Sequence, residues 1–356
     1  MYFSEMIMEG SPGRGNHHFN ILLINPIMMS FYELAQPEIK EVERYIASVL
    51  EPEPKEVYGM LDPYIMRGGK RIRPMLAILC CKAVGGDSRK VIKPAGIIEM
   101  FHNFSLIHDD IADSSQFRRG EPTLHMSHGI PIALNSGDAL YTVLFRELLR
   151  LDMEPRKLIK LEKEYVQTFK TVVEGQGREL EWERKKRFDI TEAEYISMIE
   201  GKTSALIGLS CGVGACMGGA DEKLCERLGA FGMKVGAAFQ IQDDVLNVTG
   251  SFEKYQKEIG GDITEGKRTL MVIHCLRSCT RAEREKVTGI LDSHSGRKED
   301  IDFVISVFRR CGSIEYAKGK AIELVKEAEA GLSALADSGA KRALSELCGY
   351  VISRET

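Results

Sequence analysis

Three aspartates, Asp109, Asp110 and Asp113, interrupt the largely apolar stretch FHNFSLIHDDIADSSQFRRGEP (101–122) and are followed closely by Arg118 and Arg119. Buried carboxylates repel one another and are costly to desolvate, so such a cluster calls for cations beside it. A second acidic segment, FGMKVGAAFQIQDDVLNVTG, places Gln240, Asp243, Asp244 and Asn247 at three- and four-residue spacing. Two walls of oxygen ligands suit a hard divalent ion, Mg²⁺ rather than Zn²⁺. DDxxN alone says little, and a solvated acidic helix end is the bland reading of either motif. Paired with DDxxD upstream in a helical chain, it becomes specific.

Four basic segments supply what a metal and its carboxylates lack, an anion and its other counter-ions. GGKRIRP brings Lys70 and Arg73, RRGEPT brings Arg118 and Arg119, EGKTSAL brings Lys202 and Thr203, and YQKEIGGDITEGKRT brings Lys257 and Lys267. Singly, each is most often a surface cation. Jointly they describe two phosphate sites, one bridged by metal and one held by Lys/Arg forks without it.

The elements that must position these residues all read as helix. Apolar residues recur at three and four along SFYELAQPEIKEVERYIASVL, PAGIIEMFHNFSLIHDDIAD, ALNSGDALYTVLFRELLRL and the long segment from Lys157 to Arg187, and no convincing strand run appears. At roughly 100° per residue, His102, Asp109 and Asp113 fall within about 20° of one line, with Ser105 and Leu106 close to it. TSALIGLSCGVGACMGGA (203–220) is the longest uncharged run, but its glycines and hydroxyls mark a closely packed buried helix rather than a membrane anchor.

The 356 residues are 44% hydrophobic, enough for a sizeable core, and the loops are too short to be linkers, so one all-α domain over 30–356 is expected. Residues 1–29 are expected to be a poorly ordered extension, since FNILLINPIMM is too short and interrupted for a signal or a span. A net charge of -4 argues against a general nucleic-acid binder and means that any anion site is concentrated. Nine scattered cysteines without a CxxC pair point to reduced core thiols and a cytoplasmic protein.

With GGKRIRP, HDDIAD followed by RRGEPT, GKT, FQIQDD and KEIGGDITEGK in that order, the chain resembles the trans-isoprenyl diphosphate synthases over residues 30–350. The resemblance implies a single-domain antiparallel helical bundle around a deep central cavity, usually a homodimer. It implies Mg²⁺-dependent head-to-tail condensation of an allylic diphosphate with isopentenyl diphosphate. Carried over, Asp109, Asp113 and Asp243 bind three Mg²⁺ ions on the allylic diphosphate, with Asp110 and Asp244 in support. Arg118, Lys202, Lys257 and Lys267 hold that diphosphate, while Lys70, Arg73, His102 and Arg119 hold isopentenyl diphosphate. Thr203 and Gln240 lie beside the developing carbocation. Asn247, Glu179 and Met271 stand where the family commonly has Asp, Asp and Pro, and activity is expected to survive all three.

Product length is expected to follow from the floor just upstream of Asp109. Ser105 is small where farnesyl-forming animal-type enzymes carry an aromatic, and Phe104 resembles the geranylgeranyl-limiting position, although an ideal helix turns it about 140° off the aspartate line. Phe101 and Ile98 are the fallback floor. A C20 product is expected, with C15 second. Three other readings are weaker. A class I terpene cyclase needs a Ser/Thr and a Glu that Asn247 and Ser251 do not supply. A His-Asp phosphohydrolase is disfavoured because His102 and His108 are about 120° apart. A non-catalytic partner subunit typically loses an aspartate motif, and both are intact here.

Overall fold

The computed structural model describes residues 26–250 and 259–354. Helices α1 (Pro26–Val49), α2 (Lys55–Tyr58), α3 (Leu61–Met66), α4 (Ile72–Ala83) and α5 (Ile92–Ala112) lead to α6 (Leu124–His128), α7 (Ile130–Leu148) and α8 (Pro155–Arg184). Next come α9 (Glu192–Ile199), α10 (Ala205–Met217), α11 (Glu222–Thr249) and α12 (Gly261–Thr264). The chain then folds back through α13 (Leu270–Ser278), α14 (Arg281–Asp292), α15 (Lys298–Arg310), α16 (Ser313–Gly331) and α17 (Gly339–Ser353). The bundle is all-α, as the periodicity implied. The extension expected over 1–29 falls mostly outside the described residues, and α1 already begins at Pro26. No helix among the described residues is long and apolar enough to cross a membrane.

One element escaped the helical reading. Phe117–Arg118 and Glu121–Pro122 form an antiparallel ladder with Arg118 opposite Glu121, leaving Arg119 and Gly120 as a two-residue turn. Both turn residues have positive φ, 54° and 78°, which matches the twist of a tight hairpin. Two-residue strands are too short to leave a period-two signal, yet this hairpin carries both arginines of RRGEP.

Glycine sets how closely the central helices approach. A Cβ on Gly214 would lie 2.1 Å from the Ala77 carbonyl oxygen in α4, and one on Gly232 would lie 2.7 Å from that of Ile207. The long uncharged run therefore packs α10 against α4 and α11 at backbone contact. Where α8 crosses the end of α9, a Cβ on Gly175 would sit 2.3 Å from the Lys202 nitrogen. Residues Glu200–Ser204 form one wide π-turn at that crossing, a device often found at functional sites. Side-chain caps fix the entry of three elements that feed the site. Thr191 and Glu194 form a capping box on α9, and Asp221 and Thr269 cap α11 and α13.

Gly214→Ala is expected to destabilise the fold by about 1–3 kcal/mol in urea unfolding, overpacking outweighing a helix-propensity gain of ~1 kcal/mol. Gly319→Ala in α16, where a Cβ meets nothing within 4 Å, is expected to stabilise by about 0.5–1 kcal/mol. Equal effects at the two positions would show that backbone contact is not what glycine supplies at Gly214.

Candidate active site

The bundle encloses a cavity of about 850 Å³. Asp109 and Asp113 from α5 and Asp243 and Asp244 from α11 all line it, so both acidic motifs face one space. Among the described residues, no three acidic, histidine or cysteine side chains converge closely enough to hold a metal ion unaided. The two walls are therefore separate half-sites. Burial pushes the Asp109 carboxyl up to about 6, against the pull of Lys202, and also raises Asp113. Asp244 is pushed up to about 8, first by burial and then by Asp262. Such raised values mean that the protein's own cations do not fully offset these carboxylates, and an oxygen-only donor set short of positive charge fits a hard divalent ion.

The cations are held by dedicated carboxylates. Lys202, carried by the π-turn, pairs with Glu179 on α8, one turn beyond the Gly175 crossing. Lys267 pairs with Glu265 and, at 3.2 Å, with Asp262. Arg118 grips Asp110 Oδ1 through Nε at 2.9 Å and through Nη2. Although burial opposes it, each partner keeps its cation firmly protonated.

The same cavity holds a second, differently built basic pocket. Lys70, Arg73, His102 and Arg119 line the same cavity. Gly68 and Gly69 have φ of 101° and 119°, and a Cβ on Gly69 would come within 3.0 Å of the Arg119 guanidinium. The two glycines thus let the hairpin arginine close over the loop that carries Lys70. Burial pushes Arg73 down to about 10, Arg119 crowds it further, and its Nε is buried without an acceptor. Burial, then Arg73 and Arg119, hold His102 well below the usual histidine range, so it is neutral. Crowded cations with an unmet donor form a ready-made anion site. Glu99, 2% exposed and engaged by Arg71 Nη1 at 3.1 Å, is the anion facing them.

A hydrogen-bonded chain also lines the cavity. Thr203 Oγ1 donates to Gln240 Oε1 (2.9 Å), Gln240 Nε2 donates to Asp244 Oδ1 (2.9 Å), and the Tyr195 hydroxyl donates to Asp244 Oδ2 (2.7 Å). Thr203 thereby commits its proton away and presents lone pairs to the cavity. Below them the wall turns apolar. Phe101, Phe104, Leu106, Val172, Met198 and Ile207 line it. Phe104 lies 4.6 Å from Tyr141 and 4.5 Å from His108 between ring centroids, and Phe101 stacks on Phe169 at 3.8 Å. The cavity wraps around α5 instead of following one line, so Phe104 reaches it despite its angle. Ser105 lines it too, its hydroxyl turned back to the His102 carbonyl. Ile98 is fully buried elsewhere in the core.

Asp110, expected among the catalytic aspartates, and Asn247 of the second motif do not face the cavity. Asp110 does not line the cavity: it is 1% exposed, its oxygens taken by Arg118 and by the Tyr64 hydroxyl at 3.2 Å, so it positions an arginine. Asn247 also faces away and accepts the Asp262 backbone N–H at 3.0 Å, organising the turn that carries Lys267. Lys257 lies outside the described residues. Residues missed in the sequence include Glu99, Asp262, Tyr195 and Arg354. Glu99 lies ten residues before Asp109, about 80° from it around the helix, and left no periodic signal, whereas Asp262 sits inside the quoted GGDITEGK motif. Arg354 left none.

The raised Asp109 value has a consequence for stability. Between about pH 4 and 6 the folded state keeps a proton that the unfolded chain has released, so stability falls as pH rises through that window. Asp109→Asn removes the penalty and, without divalent ions at about pH 7.5, should melt a few degrees above wild type. The difference should vanish below about pH 4. A lower melting temperature at neutral pH would contradict this charge balance.

The comparisons with known proteins agree with this architecture. Residues 54–308 match the family model described as polyprenyl synthetase. The chain is 37% identical over 332 residues to the short chain isoprenyl diphosphate synthase of Methanothermobacter thermautotrophicus, an alignment covering 92% of this chain and 98% of the relative. The solved geranylgeranyl pyrophosphate synthetase of Pyrococcus horikoshii superimposes with a TM-score of 0.86 at 34% identity, over 92% of this chain and 99% of that one. The polyprenyl synthase of Caulobacter crescentus, crystallised with calcium and isoprenyl diphosphate, gives 0.85 at 25% identity, over 92% and 98%. A family match spanning well over half the sequence and a full-length relative above 30% identity lead to one assignment: the chain belongs to the polyprenyl synthetase family.

Proposed function

We propose that the protein is a Mg²⁺-dependent trans-prenyltransferase that condenses isopentenyl diphosphate head-to-tail with allylic diphosphates, ending at the C20 geranylgeranyl product. One observation carries the reading. A single cavity combines carboxylates short of cations, a separate pocket of cations short of anions, and an apolar well below both. That combination fits two diphosphates and one growing hydrocarbon.

Asp109, Asp113 and Asp243 would hold the divalent ions, three when the allylic substrate is bound. When bound, those ions neutralise the diphosphate leaving group. Arg118, Lys202 and Lys267, with Lys257 by its motif, hold the same diphosphate by charge-assisted hydrogen bonds. Their partners Asp110, Glu179 and Asp262 keep them aimed. Lys70, Arg73, His102 and Arg119 hold isopentenyl diphosphate. The allylic C–O bond breaks with its electron pair leaving on pyrophosphate. The isopentenyl double bond then attacks the allylic carbon, and a proton passes from the new adduct to the departing pyrophosphate. The oxygens of Thr203 and Gln240 stabilise the transient positive charge, and the apolar wall keeps water from it.

Phe104 and Phe101 end the well. The tilted contact of Phe104 with Tyr141 and the stacking of Phe101 on Phe169 make this floor stiff. Ile159, Val166, Val173 and Leu180 form an exposed apolar stripe with a seven-residue period along α8. Such a stripe fits a homodimer face, and the reading is of a cytoplasmic homodimer. The P. horikoshii enzyme, named for a geranylgeranyl product, supports C20 over a C15 farnesyl product.

The purified chain alone, given dimethylallyl and isopentenyl diphosphates with Mg²⁺, should yield mainly C20 by chromatography. Absence of turnover by the chain alone would favour a non-catalytic partner subunit, and a dominant product of C30 or longer would overturn the Phe104 floor. Phe104→Ala should shift products beyond C20 with substrate consumption retained. With Mg²⁺ present, Asp109→Ala should lower turnover at least ~100-fold, toward the level of wild type without Mg²⁺.

A further inference from the structure

Arg354, just past the end of α17, is 4% exposed and lines the cavity. Its Nη2 donates to the Phe239 carbonyl at 2.9 Å and lies 3.2 Å from Asp243 Oδ1. The guanidinium carbon sits 3.8 Å over the Phe239 ring, and Nε is buried without an acceptor. A cation from the far end of the sequence is therefore built into the acidic wall of α11, against the aspartate assigned above to metal.

We infer that Arg354 is an internal counter-ion of Asp243 which the incoming divalent ion must displace, so that loading of the second acidic wall is coupled to release of the end of α17. This rests on the functional reading given above. This pair differs from those of Arg118 and Lys202. Asp110 has both oxygens occupied, by Arg118 and Tyr64, and Glu179 and Lys202 are both largely covered. Asp243 is about a third exposed and meets a guanidinium that is itself buried, so a ligand can reach the carboxylate from the cavity while the arginine stays covered. Phe239 provides the holding force that does not depend on Asp243: its carbonyl and ring keep the guanidinium in place, so the arginine is present at the carboxylate before any ligand arrives. A carboxylate oxygen committed to a guanidinium N–H is not fully available to a metal, so the pair competes directly with loading.

The test is calorimetric titration of Mg²⁺ into the full chain at saturating inorganic pyrophosphate, with melting curves confirming that each variant is folded. Arg354→Met should lower the Mg²⁺ concentration for half-saturation about three- to tenfold, the effect of a lost competing charge. Arg354→Lys, which keeps the charge, should stay within about twofold of wild type. In wild type, hydrogen exchange over the last turn of α17 should speed up when Mg²⁺ and pyrophosphate bind. An unchanged or higher Mg²⁺ requirement in Arg354→Met overturns the inference, as does slowed exchange in that turn. If wild type itself fails to bind pyrophosphate with Mg²⁺, the reading of the site fails together with it.

Discussion

Ionised groups at the mouth of this cavity are taken out of water before any ligand compensates them, and the rest of the structure answers to that cost. Desolvation is the first cause of every raised carboxyl there and of the lowered Arg73, Arg119 and His102. The protein resolves it in two ways. Arg118, Lys202 and Lys267 are given fixed carboxylate partners and become rigid donors. Asp109 and Asp113 on one side, and Arg73 with Arg119 on the other, are left with charge to spare. The first set is pre-aimed by its partners, and the second set keeps charge that only a ligand can offset.

Holding such groups in place without water requires short-range packing that most helices cannot give. Gly175 and the π-turn at Glu200–Ser204 bring the backbone of α8 against that of Lys202, which is what lets Glu179 reach its lysine. Gly69 does the same for Arg119, and the positive φ of Arg119 and Gly120 turns the hairpin arginines inward. These are single-residue devices. Each converts a backbone close approach into the position of one charge.

Local spacing made half of this legible in the sequence. Helical periodicity placed His102, Asp109 and Asp113 on one face of α5 and the second acidic motif on α11, and both face the cavity. Longer-range pairings were not legible. Nothing at Asp110 distinguishes it from Asp109 until Tyr64 and Arg118 are seen to claim its oxygens. Lys70 meets the Tyr350 hydroxyl at 3.1 Å, and Arg354 meets Asp243 at 3.2 Å, across separations that carry no periodic signal. The hairpin of Phe117–Pro122 was missed because four ladder residues are too few for alternation to register. Phe104 lines the cavity although ideal geometry turns it off the aspartate line, since an angle on a helix says nothing about how far a cavity wraps around it.

With Phe104 and Phe101 proposed as the floor, placing it and the charged mouth on one helix separates the chemistry from product length. Phe104 lies five residues before Asp109, a rise of about 7.5 Å along α5. That helix is buried nearly all round, with Phe101 clamped by Phe169 and Phe104 by Tyr141. Its rigidity fixes the distance between ionising end and floor as a property of helix geometry. A side-chain change at the floor alters depth without shifting the carboxylates, whereas a change in helix register would move both. On such a scaffold the length of the product can vary between relatives while the ionic mouth stays the same, because the two depend on different residues of the same rigid element.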